Sequence, residues 1–210
     1  MVSHSTHLQN GIDLLKETCP HLAKFVDISD RCNLKPQKHS VNLYYESLVK
    51  SIVAQQISTQ AALTISNRLS KLTRNNITPR VIANKKDKQL AEVGLSKSKI
   101  KAIKGLATSQ LDKEIDLALL KDMSDAEAVK TLSSQFGIGR WTAEMFLIFG
   151  MGRMDILPLG DLGLRNGIAK LFDIDKPSDT QITKIASKWS PYRTVATWYI
   201  WKGVKNFKNV

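Results

Sequence analysis

Two short stretches of this 210-residue chain bring together residue types that could do chemistry. The first is Leu132-Ser133-Ser134-Gln135-Phe136-Gly137-Ile138-Gly139-Arg140-Trp141-Thr142-Ala143. One helical pattern stops there, two glycines flank an isoleucine, and a second helical pattern begins at once. Glycine permits positive φ and lets another backbone come close, while Ile138 can plug the gap between the two helices. The amides around Gly139 then face outward from a helix N-terminus, where geometry and dipole favour a phosphate. The second stretch is Pro158-Leu159-Gly160-Asp161-Leu162-Gly163-Leu164-Arg165-Asn166-Gly167. Asp161 stands at the start of a helix through Leu164, Ile168 and Leu171. A carboxylate there can stabilise a developing positive charge and orient or deprotonate a water molecule. Each stretch also has a plainer reading, a tight turn in the first case and an N-cap aspartate in the second. Only their pairing in one basic chain favours chemistry.

The elements that must position these residues read as helices almost throughout. Tyr45, Leu48, Ile52 and Val53 share one helical face, and Ala61, Leu63, Ile65 and Leu69 continue a second helix after Gln55-Gln56-Ile57-Ser58. Thr78-Pro79 starts a short helix, Gly94 ends the segment from Asp87 to Val93, and Ser96 precedes a helix through Ile100, Ile103 and Leu106. Ser124-Asp125-Ala126-Glu127 reads as a capping box for a helix to about Ser134. No run sustains strand alternation, and Met154 to Pro158 reads as an extended connector. The fold class is all-α, without repeats or a low-complexity linker.

Composition narrows the partners. Lys and Arg number 31 against 19 Asp and Glu, a net charge of +12. Such an excess suits a polyanion, because lysines and arginines that meet phosphates release condensed counterions. Charge alone fits an anionic membrane as well, but no long basic amphipathic helix is present to lie on one. The longest strongly apolar stretch, Met145 to Met151, is too short to span a bilayer, so no membrane partner is expected. Cys19 and Cys32 are the only cysteines. They lack zinc spacing and are too few for an iron–sulfur cluster, so reduced thiols in an intracellular protein are expected and no cofactor is.

Taken together, the motifs identify a resemblance. The chain resembles the helix-hairpin-helix (HhH-GPD) DNA glycosylases, and within them it is similar to the 3-methyladenine DNA glycosylase II, or alkylbase, branch. The match runs from about Tyr45 to Lys202. It includes Leu48-x-x-x-Ile52-x-x-Gln55-Gln56-Ile57-Ser58, Gly94-Leu95-Ser96-x-x-Lys99, Gly137-Ile138-Gly139-Arg140-Trp141-Thr142-Ala143-Glu144-Met145 and Asp155-x-x-Pro158-x-Gly160-Asp161-Leu162. It closes with Trp189-x-Pro191-Tyr192-Arg193-x-x-Ala196-x-Trp198-Tyr199-x-Trp201-Lys202.

The resemblance implies a bilobal all-α unit over residues 1–210, with lobe one at about 45–120, lobe two at about 1–44 plus 121–210, and a DNA-binding cleft between them. It implies a monomer that excises alkylated purines such as 3-methyladenine from duplex DNA in base excision repair, with Asp161 as the catalytic carboxylate. Bifunctional relatives place a Schiff-base lysine where this chain has Trp141, and an indole cannot form that adduct, so base removal without strand cleavage is expected. Trp141, Met145, Leu162 and Trp201 take the family's base-pocket positions, and Trp189 and Trp198 read as core. Some members carry tyrosines where Met145 and Leu162 stand here, which suggests a narrower range of labile lesions. Gln56 takes the intercalating position that fills the hole left by an extruded base. Gln55, Ser58, Ser96, Lys99, Gly137, Gly139 and Thr142 are the expected DNA-binding companions, with Lys97 and Lys101 near backbone phosphates. Carbonyls of Gln135, Phe136 and Ile138 could hold a monovalent cation against a phosphate. Arg193 reads as structural, linking the C-terminal helix to the rest. The rival function is a non-catalytic binder of abasic or damaged DNA on the same fold. Either would work inside the cell, in the cytoplasm of a prokaryote or the nucleus of a eukaryote.

Overall fold

Local capping chemistry sets where most helices begin. In the computed structural model, which describes residues 4–28, 31–35 and 38–206, the chain opens with α1 (His4–Thr18) and α2 (Pro20–Ile28). Next come α3 (Val41–Ala54) and α4 (Thr59–Leu72), the latter capped by the Ser58 hydroxyl on Ala61 N–H. Thr78 caps α5 (Pro79–Ala83), and α6 (Asp87–Glu92) ends just before Gly94, whose φ of 107° suits glycine alone. Ser96 caps α7 (Lys97–Leu111). A 3₁₀ turn, Leu117–Asp122, leads to α8 (Asp125–Ser133), where Ser124 and Glu127 close the capping box expected from the sequence. Then follow α9 (Arg140–Phe149), α10 (Leu162–Phe172), α11 (Asp179–Ala186) and α12 (Arg193–Asn206). Among the described residues there is no strand, and no helix is long and apolar enough to cross a membrane.

The chain forms two compact units, Met1–Pro36 with Gly152–Val210, and Gln37–Met151. In the first, α12 packs on α10, α2 and α1 around Leu15, Leu22, Ile168, Trp189 and Tyr199. Trp189 and Trp198 are buried there, as the sequence suggests. In the second, α3 lies against α4, α7 and α9 around Tyr44, Tyr45, Leu48, Ile52, Ile103 and Phe146. Each such fully buried aliphatic or aromatic side chain stabilises the fold by about 1.5–3 kcal/mol. Tyr45 satisfies its buried hydroxyl by donating to the Ile103 carbonyl at 2.7 Å.

The division differs from the one expected near residue 120. Residues 121–151 belong with α3 to α7, because the turn at Leu117–Asp122 and α9 both pack on α3, and α8 packs on α9. The unit of Gly152–Val210 includes the N-terminal segment, bounded at Pro36.

Candidate functional site

The loop ahead of α10 carries the carboxylate singled out by the sequence, and it is gripped from two sides. The start of α12 holds residues 153–156. Thr194 donates its N–H to the Met154 carbonyl at 2.9 Å and its hydroxyl to the Arg153 carbonyl at 2.8 Å, and its hydroxyl oxygen accepts Ile156 N–H at 2.9 Å. Arg193 clasps Asp155 through Nε to Oδ1 at 2.7 Å and Nη2 to Oδ2 at 2.8 Å, and the Ser190 hydroxyl adds a bond of 2.9 Å. Burial alone would raise the Asp155 carboxyl, but these donors outweigh it and hold the group below the usual carboxylate range. From the other side, Arg165 of α10 donates Nη1 to the Leu159 carbonyl at 3.0 Å and Nη2 to the Pro177 carbonyl at 2.7 Å.

Between these anchors Asp161 N–H bonds the Pro158 carbonyl at 2.9 Å, and Asp161 becomes the N-cap of α10. Its Oδ1 accepts Leu164 N–H at 2.7 Å. The same oxygen accepts the indole Nε1–H of Trp201, also at 2.7 Å. Charge-assisted bonds of this length fix the carboxylate in one orientation over the positive end of α10. Gly163 makes the arrangement possible, since a Cβ there would lie 2.9 Å from Trp201 Cδ1 and 3.0 Å from Asp161 Oδ1. The neighbouring Leu162 is 72% exposed.

The second cluster lies in the Gln37–Met151 unit. After α8 the chain turns through Ile138 N–H on the Gln135 carbonyl at 3.1 Å and enters α9 at Gly139. Gly137 has φ of 81°, and a Cβ on it would come within 2.5 Å of the Ala102 Cβ, so the turn lies directly on α7. Ile138 is buried as the plug. Gly139 supplies no side-chain cap, and a Cβ on it would meet nothing in this chain. A helix start of this kind attracts anions through its dipole. Phe136 is exposed, with the Lys101 ammonium 4.4 Å from its ring centroid. Trp141 is 45% exposed, and Met145, one helical turn on, is buried.

Beside this hairpin, the segment between α3 and α4 presents Gln56 exposed, with a φ of 56° that a side-chain-bearing residue seldom adopts. Gln55 turns inward instead of outward. Its Nε2 donates to the Gly137 carbonyl at 3.0 Å and to Thr142 Oγ1 at 3.1 Å; Gln55 is half-buried, and Thr142 is only 4% exposed. Lys99 likewise faces the protein, its Nζ donating to the carbonyls of Val53 at 2.7 Å and Gln55 at 2.9 Å. The last carbonyls of a helix have no amide partners within it, and an ammonium satisfies them. Burial lowers the Lys99 ammonium from its ordinary value. Ser58 and Ser96 keep the exposure expected of DNA contacts, but their hydroxyl oxygens are engaged as caps.

The profile of the HhH-GPD superfamily base excision DNA repair proteins matches residues 49–191, which include Gln56, the hairpin and Asp161. The chain belongs to that family. It is 34% identical over 176 residues to the "alkylbase DNA glycosidase-like protein mag2" of Schizosaccharomyces pombe, across 81% of this chain and 82% of that one. Its fold is similar to the S. pombe 3-methyladenine DNA glycosylase Mag1 in complex with abasic DNA, at a TM-score of 0.78 and 29% identity, covering 93% of this chain and 97% of that one. It is also similar to a DNA-3-methyladenine glycosidase from Bacillus halodurans, at a TM-score of 0.83 and 30% identity, covering 94% and 90%.

For this HhH-GPD chain, Asp161, Leu162 and Trp201 stand in one unit, with Trp141, Met145 and the hairpin residues in the other. Four roles were not visible in the sequence. Trp201 holds the carboxylate, Gly163 leaves room for that bond, Asp155 anchors Arg193, and Lys99 with Gln55 braces the Gln56 segment. A glycine in the first turn of a helix, where alanine is intrinsically better, was the available signal for Gly163.

Proposed function

We propose that this chain is a DNA glycosylase of the 3-methyladenine type, which releases alkylated purines from duplex DNA by hydrolysing the N-glycosidic bond and leaves the strand intact. The observation that carries the reading is the Asp161 carboxylate, held on one oxygen by Leu164 N–H and by the Trp201 indole, each at 2.7 Å. Two relatives are 3-methyladenine enzymes by name, one of them in complex with abasic DNA. The +12 charge suits the polyanionic substrate.

As the base departs, positive charge builds on the deoxyribose. Asp161 stabilises that charge and orients or deprotonates the incoming water. Alkylation at a ring nitrogen already makes the purine a cationic leaving group, so little acid assistance is required. Trp141, Met145, Leu162 and Trp201 contact the extruded base, the indoles attracting a cationic ring. Gln56 fills the vacated place in the stack, and the α9 start at Gly139 takes a backbone phosphate. The adjacent carbonyls of Gln135, Phe136 and Ile138 suit a monovalent cation shared with that phosphate; the bond from Ile138 N–H uses one of the two Gln135 lone pairs. Trp141 has no amine for a Schiff base, so there is no lyase step. Such an enzyme works as a monomer wherever the cell keeps its DNA, in the cytoplasm of a prokaryote or the nucleus of a eukaryote.

The test is base release from methylated duplex DNA by the wild type beside Asp161→Asn. Asn keeps an oxygen for both N–H donors, so the variant should fold and bind DNA while losing release. DNA binding without base release by either protein would establish a non-catalytic DNA binder, and equal release by both would refute the role of Asp161. A borohydride-trapped adduct on abasic DNA would overturn the absence of lyase chemistry. Duplexes with 3-methyladenine, 7-methylguanine, 1-methyladenine and hypoxanthine measure breadth, and equal rates on all would refute a narrow pocket.

A further inference from the structure

The Gln56 backbone sits in the left-handed region, with φ of 56°, where a residue with a side chain persists only if its surroundings hold it. Two groups do so from outside the segment. Lys99 Nζ bonds the Val53 carbonyl at 2.7 Å and the Gln55 carbonyl at 2.9 Å, on the last turn of α3 and on the peptide that enters Gln56. Gln55 Nε2 bonds the Gly137 carbonyl at 3.0 Å and Thr142 Oγ1 at 3.1 Å, one on the hairpin turn and one in the first turn of α9. The chain entering Gln56 is therefore fastened both to α7, through Lys99, and to the turn that would meet a phosphate, through the Gln55 side chain.

We infer that Lys99 is a positioning residue for base extrusion, because its ammonium, braced with Gln55 on the carbonyls ahead of Gln56, holds that side chain poised to enter the stack. The inference rests on the glycosylase reading of the preceding section. Lys99 touches neither base nor sugar and acts only through Gln56. Its two donors replace the amides that α3 lacks at its end, and without them the Gln55 peptide is free to rotate and Gln56 to leave the left-handed region. An interstrand wedge that rotates freely fills the hole less often, so the cost falls on the extrusion step. That cost is greatest for a base that must be unpaired and least for one already unpaired.

The experiment compares wild type, Lys99→Met, Lys99→Arg, Gln56→Ala and the double variant Lys99→Met/Gln56→Ala. Single-turnover release of an alkylated purine is measured from a fully paired duplex and from a duplex with the same lesion in a one-nucleotide bulge. Lys99→Met should slow release from the paired duplex about tenfold and from the bulge less than about twofold. Lys99→Arg, which keeps the donors, should recover most of the rate. The double variant should be no slower than Gln56→Ala, since both lose one action. Equal slowing on both substrates, or losses that multiply in the double variant, would overturn the inference. A second readout does not depend on catalysis: binding to a duplex with 2-aminopurine beside an abasic analogue should raise fluorescence for wild type and far less for Lys99→Met. If wild type raises fluorescence far more than Lys99→Met but releases no base, the glycosylase reading fails and the role of Lys99 stands. If wild type and Lys99→Met raise it equally, the role of Lys99 is refuted.

Discussion

Trp201 donates its indole N–H to Asp161 Oδ1 at 2.7 Å, the same oxygen that caps α10 through Leu164 N–H. A tryptophan expected only to line a base pocket thus also sets the orientation of the carboxylate. The bond from its N–H to Asp161 can be tested apart from the proposed contact of its ring with a base.

Trp201→Phe keeps an aromatic ring and removes the donor. Loss of a hydrogen bond to a charged group costs about 1.5–3 kcal/mol where it is fully expressed. Base release should fall by about tenfold or more, with affinity for abasic DNA within about twofold of wild type, as read by single-turnover kinetics and fluorescence anisotropy. An unchanged rate would show that the N-cap bond alone orients Asp161.

Gly163→Ala presses on the same contact from the opposite side. The added Cβ would lie 2.9 Å from Trp201 Cδ1 and 3.0 Å from Asp161 Oδ1, so the indole or the carboxylate must shift. Overpacking of this kind costs about 1–3 kcal/mol, partly offset by roughly 0.5–1 kcal/mol of better helix propensity. Thermal unfolding should therefore change by only a few degrees while base release falls about as far as in Trp201→Phe. A fall in melting temperature with full activity would contradict the pairing.

The Asp155–Arg193 pair should make the unit of Met1–Pro36 and Gly152–Val210 sensitive to acid. Asp155 is held below its unfolded value, so its contribution is present above the unfolded carboxylate value near 4 and disappears as pH falls through the lower folded value. Asp155→Asn should lower stability at pH 7 and flatten its dependence on pH below about 4. Urea titrations of both proteins from pH 2 to 7 measure this, and parallel curves would exclude the pair as a source of acid sensitivity.

Cys32 is 5% exposed, and burial pushes its thiol up to about 11, only partly offset by a backbone bond from Leu34. The thiolate is the reactive form, so native protein at pH 8 should resist iodoacetamide at Cys32 and react fully once unfolded. Rapid alkylation of the native state, followed by mass spectrometry, would show that the segment around Cys32 opens readily.

Several of these residues were legible from the linear chain because their partners are close by. Ser124 with Glu127, Ser96 with Lys99 and Asp161 with Leu164 are all caps across three residues, and turn chemistry is local. The paired glycines of the hairpin and the all-helical pattern were visible for the same reason, since apolar spacing reports one element at a time. The boundary between the units was not, because an amphipathic face does not say which core it joins; α8 packs on α9 and α9 on α3, in the unit of α3 to α7. Nor were the long-range bonds. Trp201 is 40 residues from Asp161, Arg193 is 38 from Asp155, Lys99 is 46 from Val53, and Gln55 is 82 from Gly137. By itself the sequence determined the helices, their caps and the residue types able to act at Asp161 and Gly139. Only the tertiary structure decided which side chains serve the site and which brace it, because whether a lysine or a glutamine faces solvent or a carbonyl depends on what distant backbone the fold brings beside it.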